Sequence, residues 1–449
     1  MRIVIIGAGE VGFHVAKALS QEDFDITVID NDPEKCRRAS ENLDVIVVQG
    51  NGASPKNLVE ANVDKADYVF ALTRIDEVNL IASQQARQLG ANKVIARLRN
   101  QQYSDASSII KPEKFGIDLV IHPEKEACSE IVRLVDHPYA TRVMDFEDGR
   151  LKMIGIRIPY QSQIVGRSVK ELCDDSKEIK FGIVSVIRGS ETIIPWGDFI
   201  FEPNDRAYFI IKTKNLEGLL KILGINGQKS ERIMIFGGEK IGTSVAEILQ
   251  NEKSIRLIDN RKDKSEQIAA NLTNTMVIYA DGTDLEFLKS ENIQEVESFI
   301  AVTRDERVNI LSGILAHQLG AKQTIIHINT TEYMPLLQEL GVGSIVSKNM
   351  ATVNKIIRKI YSDKTETDLI AFEEMDVDVI ELQPKAGSKV TQKPLSEIDF
   401  PNESIVGIIN HHGNLSIARG NSLITEEDTV LVFAKKKAIT KIRTLFGLK

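Results

Sequence analysis

Continuous apolar runs alternate with amphipathic stretches through the first 122 residues. Both faces of a strand in a parallel sheet are covered, so the runs IVIIG, DITVID, DVIVVQG, YVFALT and KVIARL predict buried strands. After the first run, VGFHVAKALSQ places Val11, Val15, Ala18 and Leu19 on one helical face. Strands and helices therefore alternate with short connections, which predicts a doubly wound α/β domain around a parallel sheet.

The same pattern returns 230 positions later. Gly7 and Gly237 stand 230 residues apart, and so do Thr73 and Thr303. The segment ALTRIDEVNL at 71–80 matches AVTRDERVNI at 301–310, and RQLGANKVIAR matches HQLGAKQTIIH. Several matched blocks in one order at one offset indicate an internal duplication, so the chain is two copies of one unit.

Each copy continues with a different pattern of short apolar runs separated by turn-like pieces. These runs lie within residues 151–212 and 379–434, and they predict a small, largely antiparallel α+β domain in each copy. One helix is predicted between the strands of each small domain, at 166–172 and at 391–398. Amphipathic helices at 124–135 and 350–361 are predicted to connect the two parts of each copy.

The fold class predicted is therefore α/β, with two Rossmann-like doubly wound parallel-sheet domains, each followed by a small α+β domain. The predicted divisions are a first nucleotide-binding fold at 1–122, a connecting helix at 123–140, a small domain at 141–226, a second Rossmann-like domain at 231–348, a second connecting helix at 349–365 and a second small domain at 366–449.

Composition narrows the class of protein. A hydrophobic content of 42% is enough for real cores, and the net charge of −8 argues against a chain built to neutralise nucleic-acid phosphates. No apolar run approaches the roughly 18 residues of a membrane helix. The three cysteines are scattered, and the adjacent His411 and His412 are poorly placed to share one metal ion, so a solvated turn is expected there. We expect a soluble cytosolic chain with no nucleic-acid partner and no structural metal.

A glycine motif follows the first strand and opens the first helix. Gly7 would allow the tight turn, Gly9 would let the backbone approach a pyrophosphate, and Gly12 would let the helix pack against the sheet. The helix N-terminus offers free N–H groups and a partial positive charge to phosphates. The predicted phosphate-binding residues are therefore Gly7, Ala8, Gly9, Glu10, Val11 and Gly12.

Polar residues that follow the next strands complete the predicted site. Asp30 closes the second strand, where a carboxylate accepts hydrogen bonds from the adenosine ribose and disfavours a 2′-phosphate. Asn51 and Gly52 follow the third strand and are placed near adenine and ribose. The residues predicted to reach ribose or phosphate oxygens are Thr73, Arg74 and Arg97, with ordinary surface salt bridges as the alternative for both arginines.

The second copy departs from this pattern. Gly237, Gly238 and Gly242 remain, but Glu239 stands where Gly9 stood, and a carboxylate beside a pyrophosphate is unfavourable unless it turns outward. Gly242-Thr243-Ser244 resembles the end of a phosphate-binding P-loop, yet Thr243 replaces the required lysine. Two hypotheses stay open, a nucleotide site of altered selectivity and a degenerate structural copy. The positions assigned to this second site are Gly237, Gly238, Glu239, Lys240, Ile241 and Asp259, with Arg261 nearby.

The whole chain resembles the peripheral NAD-binding subunits of bacterial Trk potassium uptake systems, which carry tandem RCK-type domains. The motifs that carry the resemblance are IVIIGAGEVG at 3–12, VIDND at 28–32, GNGAS at 50–54, ALTRIDEVN at 71–79 and VTRDERVN at 302–309. The resemblance implies a cytoplasmic subunit that lies under an integral-membrane potassium-translocating partner. It implies NAD+ or NADH as ligand, with ATP or ADP also accommodated, and a homotetrameric ring of eight such domains.

The expected function is ligand-dependent gating of that partner without turnover. No general base, nucleophile or metal-ligand set is visible beside the first glycine motif. An NAD-dependent oxidoreductase with a duplicated cofactor domain is the alternative, although a dehydrogenase rarely needs two fused cofactor folds. A redox-sensing transcription factor is a weaker alternative, because the chain is acidic and has no helix-turn-helix stretch.

Overall fold

The computed structural model describes residues 1–20, 24–103, 108–146, 149–176, 179–225, 227, 230–362, 369–372 and 377–448. The predicted divisions at 226, 365, 366 and 449 fall outside these residues. The chain forms two compact units: Met1–Ser129 with Val346–Lys359, and Glu130–Ile345 with Ile360–Lys449.

The first Rossmann-like domain has a six-stranded parallel sheet in the order β3-β2-β1-β4-β5-β6. The chain order reverses between β1 and β4, which creates the crevice where open α/β sheets bind ligands. Its strands are β1 (Arg2–Ile6), β2 (Asp25–Asp30), β3 (Ile46–Gln49), β4 (Tyr68–Ala71), β5 (Lys93–Arg97) and β6 (Leu119–Ile121), and its helices are α1 (Glu10–Leu19), α2 (Pro33–Asn42), α3 (Pro55–Glu60) and α4 (Asp76–Leu89).

The first small domain follows the connecting helix α5 (Pro123–Asp136). Its five strands form an antiparallel sheet in the order β10-β9-β11-β8-β7. Its elements are β7 (Ala140–Phe146), β8 (Leu151–Arg157), α6 (Val169–Asp175), β9 (Phe181–Arg188), β10 (Glu191–Ile193), β11 (Arg206–Lys212) and α7 (Leu216–Leu223). The helix predicted at 166–172 is thus present, three residues later than its predicted start.

The second Rossmann-like domain repeats the first, with the strand order β14-β13-β12-β15-β16-β17. Its pairings from β14 to β16 are all parallel. The elements are β12 (Arg232–Phe236), α8 (Lys240–Leu249), β13 (Ser254–Asp259), α9 (Lys262–Asn271), β14 (Thr275–Tyr279), α10 (Leu285–Ser290), β15 (Ser298–Ala301), α11 (Glu306–Gln318), β16 (Gln323–Ile328), α12 (Met334–Leu340) and β17 (Ser344–Ser347).

The second small domain follows α13 (Lys348–Ser362) and has the antiparallel sheet β18-β19-β22-β20-β21. Its elements are β18 (Leu369–Phe372), β19 (Val377–Leu382), β20 (Ser404–His411), β21 (Asn414–Ile417), β22 (Asp428–Ala434) and α14 (Ile439–Leu445). The helix predicted at 391–398 is wrong, because this segment forms only the short 3₁₀ turns Lys389–Thr391 and Leu395–Glu397. The predicted fold class is confirmed for the described residues.

The two small sheets share an apolar core within the second unit. Met153 and Tyr208 of the first sheet belong to one buried cluster with Val379 and Phe433 of the second sheet. At Gly407 a Cβ atom would lie 2.5 Å from the ring of Phe433, so a side chain at this position would displace the Phe433 ring from the core. Each sheet therefore covers an apolar face of the other.

Among the described residues, none of the helices combines the length and the apolar character that crossing a bilayer requires.

Candidate functional site

The first glycine turn is built by backbone proximity. Gly7 has a φ of +105°, and a Cβ there would lie 3.0 Å from the backbone nitrogen of Thr73. A Cβ on Gly12 would lie 1.8 Å from the carbonyl oxygen of Gly7, so α1 approaches β1 at a distance that only glycine permits. These two glycines therefore have the roles in the fold that the motif predicts.

Gly9 differs from its neighbours, because nothing in the fold requires it. A Cβ built at Gly9 meets no atom within 4 Å, and its φ of −68° suits any residue. Gly9 is the N-cap of α1 and makes no side-chain cap, so the first N–H groups of the helix lie beside open space. An anion could approach the helix N-terminus here without meeting a side chain.

The Asp30 carboxylate fixes the glycine turn to the end of β2. It is 8% exposed, accepts a hydrogen bond from the Ala8 backbone nitrogen at 2.6 Å, and accepts another from the Asp32 nitrogen at 2.9 Å. Glu10 in the first turn of α1 pairs with Arg38 at 3.1 Å. Asp30 thus positions Ala8 as well as lying at the predicted ribose position.

Three other predicted contacts have structural partners of their own. A Cβ on Gly52 would lie 2.1 Å from the Ile6 side chain, so Gly52 lets the loop after β3 pack on β1. Asn51 is exposed and accepts from the Ala53 nitrogen at 2.9 Å. The hydroxyl of Thr73 lies 2.7 Å from the Asn79 side-chain oxygen. Of these residues, Asn51 has the greatest side-chain freedom to reach a ligand.

Asn79, which the sequence analysis did not single out, joins the ends of β4 and β5. Its side chain is fully buried and donates to the carbonyl oxygens of Thr73, at 3.1 Å, and Arg97, at 2.8 Å. Asn309 forms the same clamp in the second copy with Thr303 and His327. The matched segments TRIDEVN and TRDERVN contain this signal, since each places asparagine six residues after threonine.

Arg97 lies inside the first domain and not on its surface. It is 7% exposed, and its Nε atom has no hydrogen-bond partner among the described residues. Burial lowers the pKa of Arg97, and the nearby positive charges of Arg99 and Arg74 lower it further. The negative charge of Glu124 acts in the opposite direction. The surface salt bridge considered for Arg97 does not fit this position, whereas Arg74 is exposed.

Lys348 adds a further cation that the sequence analysis missed. It is the first residue of α13, and residues 346–359 belong to the same compact unit as the first Rossmann-like domain. Burial lowers the pKa of Lys348, Glu124 counteracts this, and Arg99, Arg97 and Arg74 lower it further. Four cations therefore gather near the ends of β4 and β5, where Glu124 also pairs with Arg99 at 3.3 Å. Distant sequence position hid Lys348, which lies 251 residues after Arg97.

The second glycine turn keeps the backbone geometry of the first. Gly237 has a φ of +115°, and a Cβ on Gly242 would lie 1.9 Å from the Gly237 oxygen. The Asp259 carboxylate accepts from the Gly238 nitrogen at 2.9 Å, as Asp30 does from Ala8. Lys240 and Ile241 begin α8, as Glu10 and Val11 begin α1.

Three cations surround the Glu239 carboxylate at the position of Gly9. Arg261 lies 2.6 Å away, Arg304 lies 2.7 Å away, and Lys264 lies 2.8 Å away. Partial burial opposes ionisation, but hydrogen bonds from these three side chains outweigh it and lower the pKa of Glu239 to about 2. The Glu239 side chain therefore supplies the negative charge that a bound phosphate would otherwise supply to these cations.

The hairpin between β20 and β21 gathers titratable groups on an exposed turn. His412 has a φ of +49°, in agreement with the predicted turn. The Nδ1 atom of His411 forms a hydrogen bond of 2.7 Å with the Asp428 carboxylate. Ligand atoms of His411, His412 and Glu427 lie within 4.8 Å of one another. The sequence analysis judged these adjacent histidines poorly placed to share one metal ion, but their ligand atoms and that of Glu427 lie close enough together to do so.

Comparison with known proteins agrees with this architecture. Residues 3–123 and 233–348 match the family model of the TrkA-N domain, and residues 153–224 and 379–447 match that of the TrkA-C domain. The chain is 33% identical to Trk system potassium uptake protein TrkA homolog 1 of Methanosarcina mazei, in an alignment that covers 99% of this chain and 100% of that relative. The chain belongs to the TrkA family.

A further TrkA relative gives the same assignment, and a solved structure has a similar fold. The TrkA homolog of Archaeoglobus fulgidus is 33% identical and is matched over 99% of this chain and 100% of its own. The solved structure of the GsuK channel bound to NAD has a TM-score of 0.59 and 15% identity, and it covers 99% of this chain and 79% of that chain. This likeness shows a shared fold, and the family models and relatives confirm the predicted family.

Proposed function

We propose that the first Rossmann-like domain binds NAD+ or NADH, and that it also accommodates ATP or ADP. The observation that carries this proposal is the contrast between the two glycine turns. The N-cap position of the first helix, Gly9, lies beside open space, whereas the N-cap of the second, Glu239, carries a carboxylate that is paired with three cations. The bound state of GsuK, whose fold this chain shares, supports a dinucleotide as the ligand.

The positively charged side chains of the first compact unit also support nucleotide binding there. The glycine turn would hold the pyrophosphate, and Asp30 would accept from the ribose. The buried Arg97 and the half-buried Lys348 are cations near the ends of β4 and β5, and Glu124 is the carboxylate with the strongest influence on both. A bound phosphate would supply negative charge to this cluster, which makes phosphate binding favourable.

For the second copy we propose the degenerate alternative. The residue at the Arg97 position is His327, so the buried guanidinium is missing there. Arg261, Lys264 and Arg304 already share the Glu239 carboxylate, and a pyrophosphate would have to displace or repel it. One nucleotide per chain is therefore expected.

At the level of the cell we propose a regulatory subunit of a Trk potassium uptake system. Relatives that match almost the whole chain are named Trk system potassium uptake proteins. The chain would lie at the cytoplasmic face of the membrane, assemble with itself as a homotetrameric ring, and gate an integral-membrane potassium-translocating subunit. Gating requires that the nucleotide bind two conformations of the ring with different affinity.

Lys348 offers a physical route from nucleotide to conformation. A phosphate that attracts Lys348 would pull on the first turn of α13, and α13 leads along the chain into the second small domain. Typical couplings between such sites are about 1–3 kcal/mol, and identical sites in a ring add to one another. Nucleotide binding would then bias the assembly without a chemical reaction.

Isothermal titration calorimetry of the purified full chain tests the binding proposal, with NAD+, NADH, ATP and ADP as ligands. We expect one site per chain for each bound nucleotide, and weaker binding for Arg97→Gln by at least about tenfold. Glu239→Gly combined with His327→Arg should raise the NAD+ stoichiometry towards two. Absence of binding, or binding that is unchanged in Arg97→Gln, would contradict the assignment of the site.

Potassium uptake measured with the membrane subunit in liposomes tests the regulatory proposal. We expect the nucleotide to change the flux only when this chain is present, and we expect Arg97→Gln to weaken that response. NADH should not be consumed during the assay. Steady NADH oxidation with a defined substrate would instead favour the oxidoreductase alternative.

A further inference from the structure

A charged cavity lies inside the second unit, and none of the residues that line it belongs to the second glycine turn. It has a volume of about 150 Å³ and lies between the first small domain and the second Rossmann-like domain. Five basic side chains contribute to its lining, and none of the described residues that line it is an aspartate or a glutamate. The basic residues are Arg142, Arg157, Arg206, His317 and Lys322.

Two of these arginines lie directly opposite each other on neighbouring strands. Arg206 of β11 pairs in register with Arg157 of β8. Like charges in directly opposed positions repel each other, and burial together with Arg206 lowers the pKa of Arg157. Arg157 donates to the carbonyl oxygen of Gln338 at 2.7 Å, and neither arginine forms an ion pair with a described carboxylate.

Two other cations of the cavity are already paired with carboxylates, which sets Arg157 and Arg206 apart. Arg142 pairs with Glu130 at 3.2 Å, and Lys322 pairs with Glu297 at 3.1 Å. The uncompensated positive charge is therefore concentrated on Arg157 and Arg206. Two guanidinium groups side by side, with donors in fixed planes, are suited to an oxyanion.

A buried hydroxyl of the cavity also lacks a partner. Thr141 of β7 lines the cavity, and its Oγ1 atom is buried without a hydrogen bond in the described part of the chain. A buried polar group of this kind costs stability unless something satisfies it. A bound oxygen-rich ligand would satisfy both this hydroxyl and the two guanidinium groups.

The second copy lacks the arginine pair. In the corresponding strand pair, Leu382 lies opposite Val430, as Ile156 lies opposite Ala207 in the first copy. The next positions outward are Gln383 and Thr429, which correspond to Arg157 and Arg206. The small-domain sheet therefore folds without these arginines, and a purely structural need for them is not evident from the repeat.

We propose that this cavity binds a small multivalent oxyanion of the size of phosphate, held by the Arg157 and Arg206 guanidinium groups. A cavity of about 150 Å³ is close in size to engineered cavities that hold benzene, so it accommodates phosphate. The anion would lie where the two domains meet, since Arg157 donates to the Gln338 oxygen at 2.7 Å and the Ser344 hydroxyl donates to the Ala140 oxygen at 3.2 Å.

The test uses the full chain with inorganic phosphate, titrated against sodium chloride at constant ionic strength. Calorimetry should show phosphate binding, and thermal unfolding should move to higher temperature with phosphate and not with chloride. Arg157→Gln and Arg206→Thr, which copy the second repeat, should each weaken phosphate binding by at least about tenfold. Arg206→Lys, which keeps the charge, should retain part of the affinity.

Two controls separate this site from the nucleotide site and from a general charge effect. Phosphate binding in the cavity should persist when NAD+ already saturates the chain, and it should be unchanged in Arg307→Gln, whose side chain is 84% exposed. Arg206→Thr removes a like-charge contact, so without phosphate it should be at least as stable as the wild type. The proposal is overturned if phosphate binds no better than chloride, or if Arg157→Gln and Arg206→Thr bind it as the wild type does.

Discussion

At the scale of single residues, the two copies differ most where one glycine became a glutamate. Gly9 has no neighbour that would prevent a side chain, whereas Gly7 and Gly12 are fixed by backbone contacts in both copies. The motif alone could predict a role for all three glycines, but only the structure separates a position kept free for a ligand from two positions needed by the turn.

Substitution of Gly9 by glutamate should separate ligand binding from folding. A Cβ atom at this position meets nothing within 4 Å, so we expect the free energy of unfolding to change by less than about 1 kcal/mol. NAD+ affinity should fall by at least about tenfold, because a carboxylate would lie beside the pyrophosphate. Urea unfolding and calorimetry on the same sample measure the two effects.

The matched control is Gly12→Ala, where the new Cβ would lie 1.8 Å from the Gly7 oxygen. This variant should lose stability even without a ligand. If Gly9→Glu binds NAD+ like the wild type, the pyrophosphate does not lie on this turn.

The ion cluster around Glu239 predicts a dependence of stability on pH. The pKa of Glu239 is lowered from 4.5 to about 2, so the folded protein favours the ionised carboxylate. The resulting stabilisation is fully present above about pH 4.5 and is lost as the pH falls towards 2. Glu239→Gln should therefore be less stable than the wild type at pH 7, by up to about 3 kcal/mol, with a difference that shrinks below pH 4.5.

Urea unfolding of both proteins across this pH range measures the difference. Glu286→Gln provides the control, because Glu286 forms an exposed pair with Lys289 and should contribute little at any pH. A stability difference for Glu239→Gln that stays constant from pH 7 to pH 3 would show that the carboxylate charge is not its source.

At the scale of elements, helix capping explains why the first small domain has the predicted helix and the second does not. Ser168 caps α6 with its hydroxyl, and Glu171 completes a capping box. Pro394 occupies the matching position in the second copy and has no side-chain oxygen to offer, so only 3₁₀ turns form there. The apolar pattern of the two segments is similar, which is why pattern alone predicted a helix in both.

The asparagine clamps predict which strand ends support the ligand. Asn79→Ala would leave the groups bonded to it at the ends of β4 and β5 without partners, so we expect a loss of about 2–4 kcal/mol in the free energy of unfolding. NAD+ affinity should fall as well, because the Asn79 side chain holds the backbone carbonyl group of Arg97 in place. Urea unfolding and calorimetry give the two values.

Asn309→Ala is the matched control, since Asn309 makes the same contacts in the second copy. It should cost similar stability and leave NAD+ affinity unchanged. Equal losses of affinity in both variants would mean that the two copies bind nucleotide alike.

At the scale of the whole molecule, the duplication and both sheet types could be predicted from the sequence, because periodicity and repeated blocks are local signals. The gathering of Lys348 with Arg97 could not, since it depends on which surface α13 packs against. The shared core of the two small sheets could not be predicted either. The sequence pattern shows that a strand face is apolar, but it does not show which other element covers that face.

That shared core predicts that the two small domains unfold together. Trp196, the only tryptophan of the chain, belongs to the first small domain, and its indole nitrogen donates to the Asn402 oxygen of the second at 2.9 Å. Phe433→Ala removes a fully buried ring of the second domain and should cost about 3–5 kcal/mol. Because the core is continuous, the Trp196 fluorescence transition in urea should shift to lower concentration, although Trp196 and Phe433 are 237 residues apart. Val69→Ala, in the core of the first Rossmann-like domain, is the control and should leave this transition in place. A Trp196 transition that ignores Phe433→Ala would mean that the two small domains unfold independently.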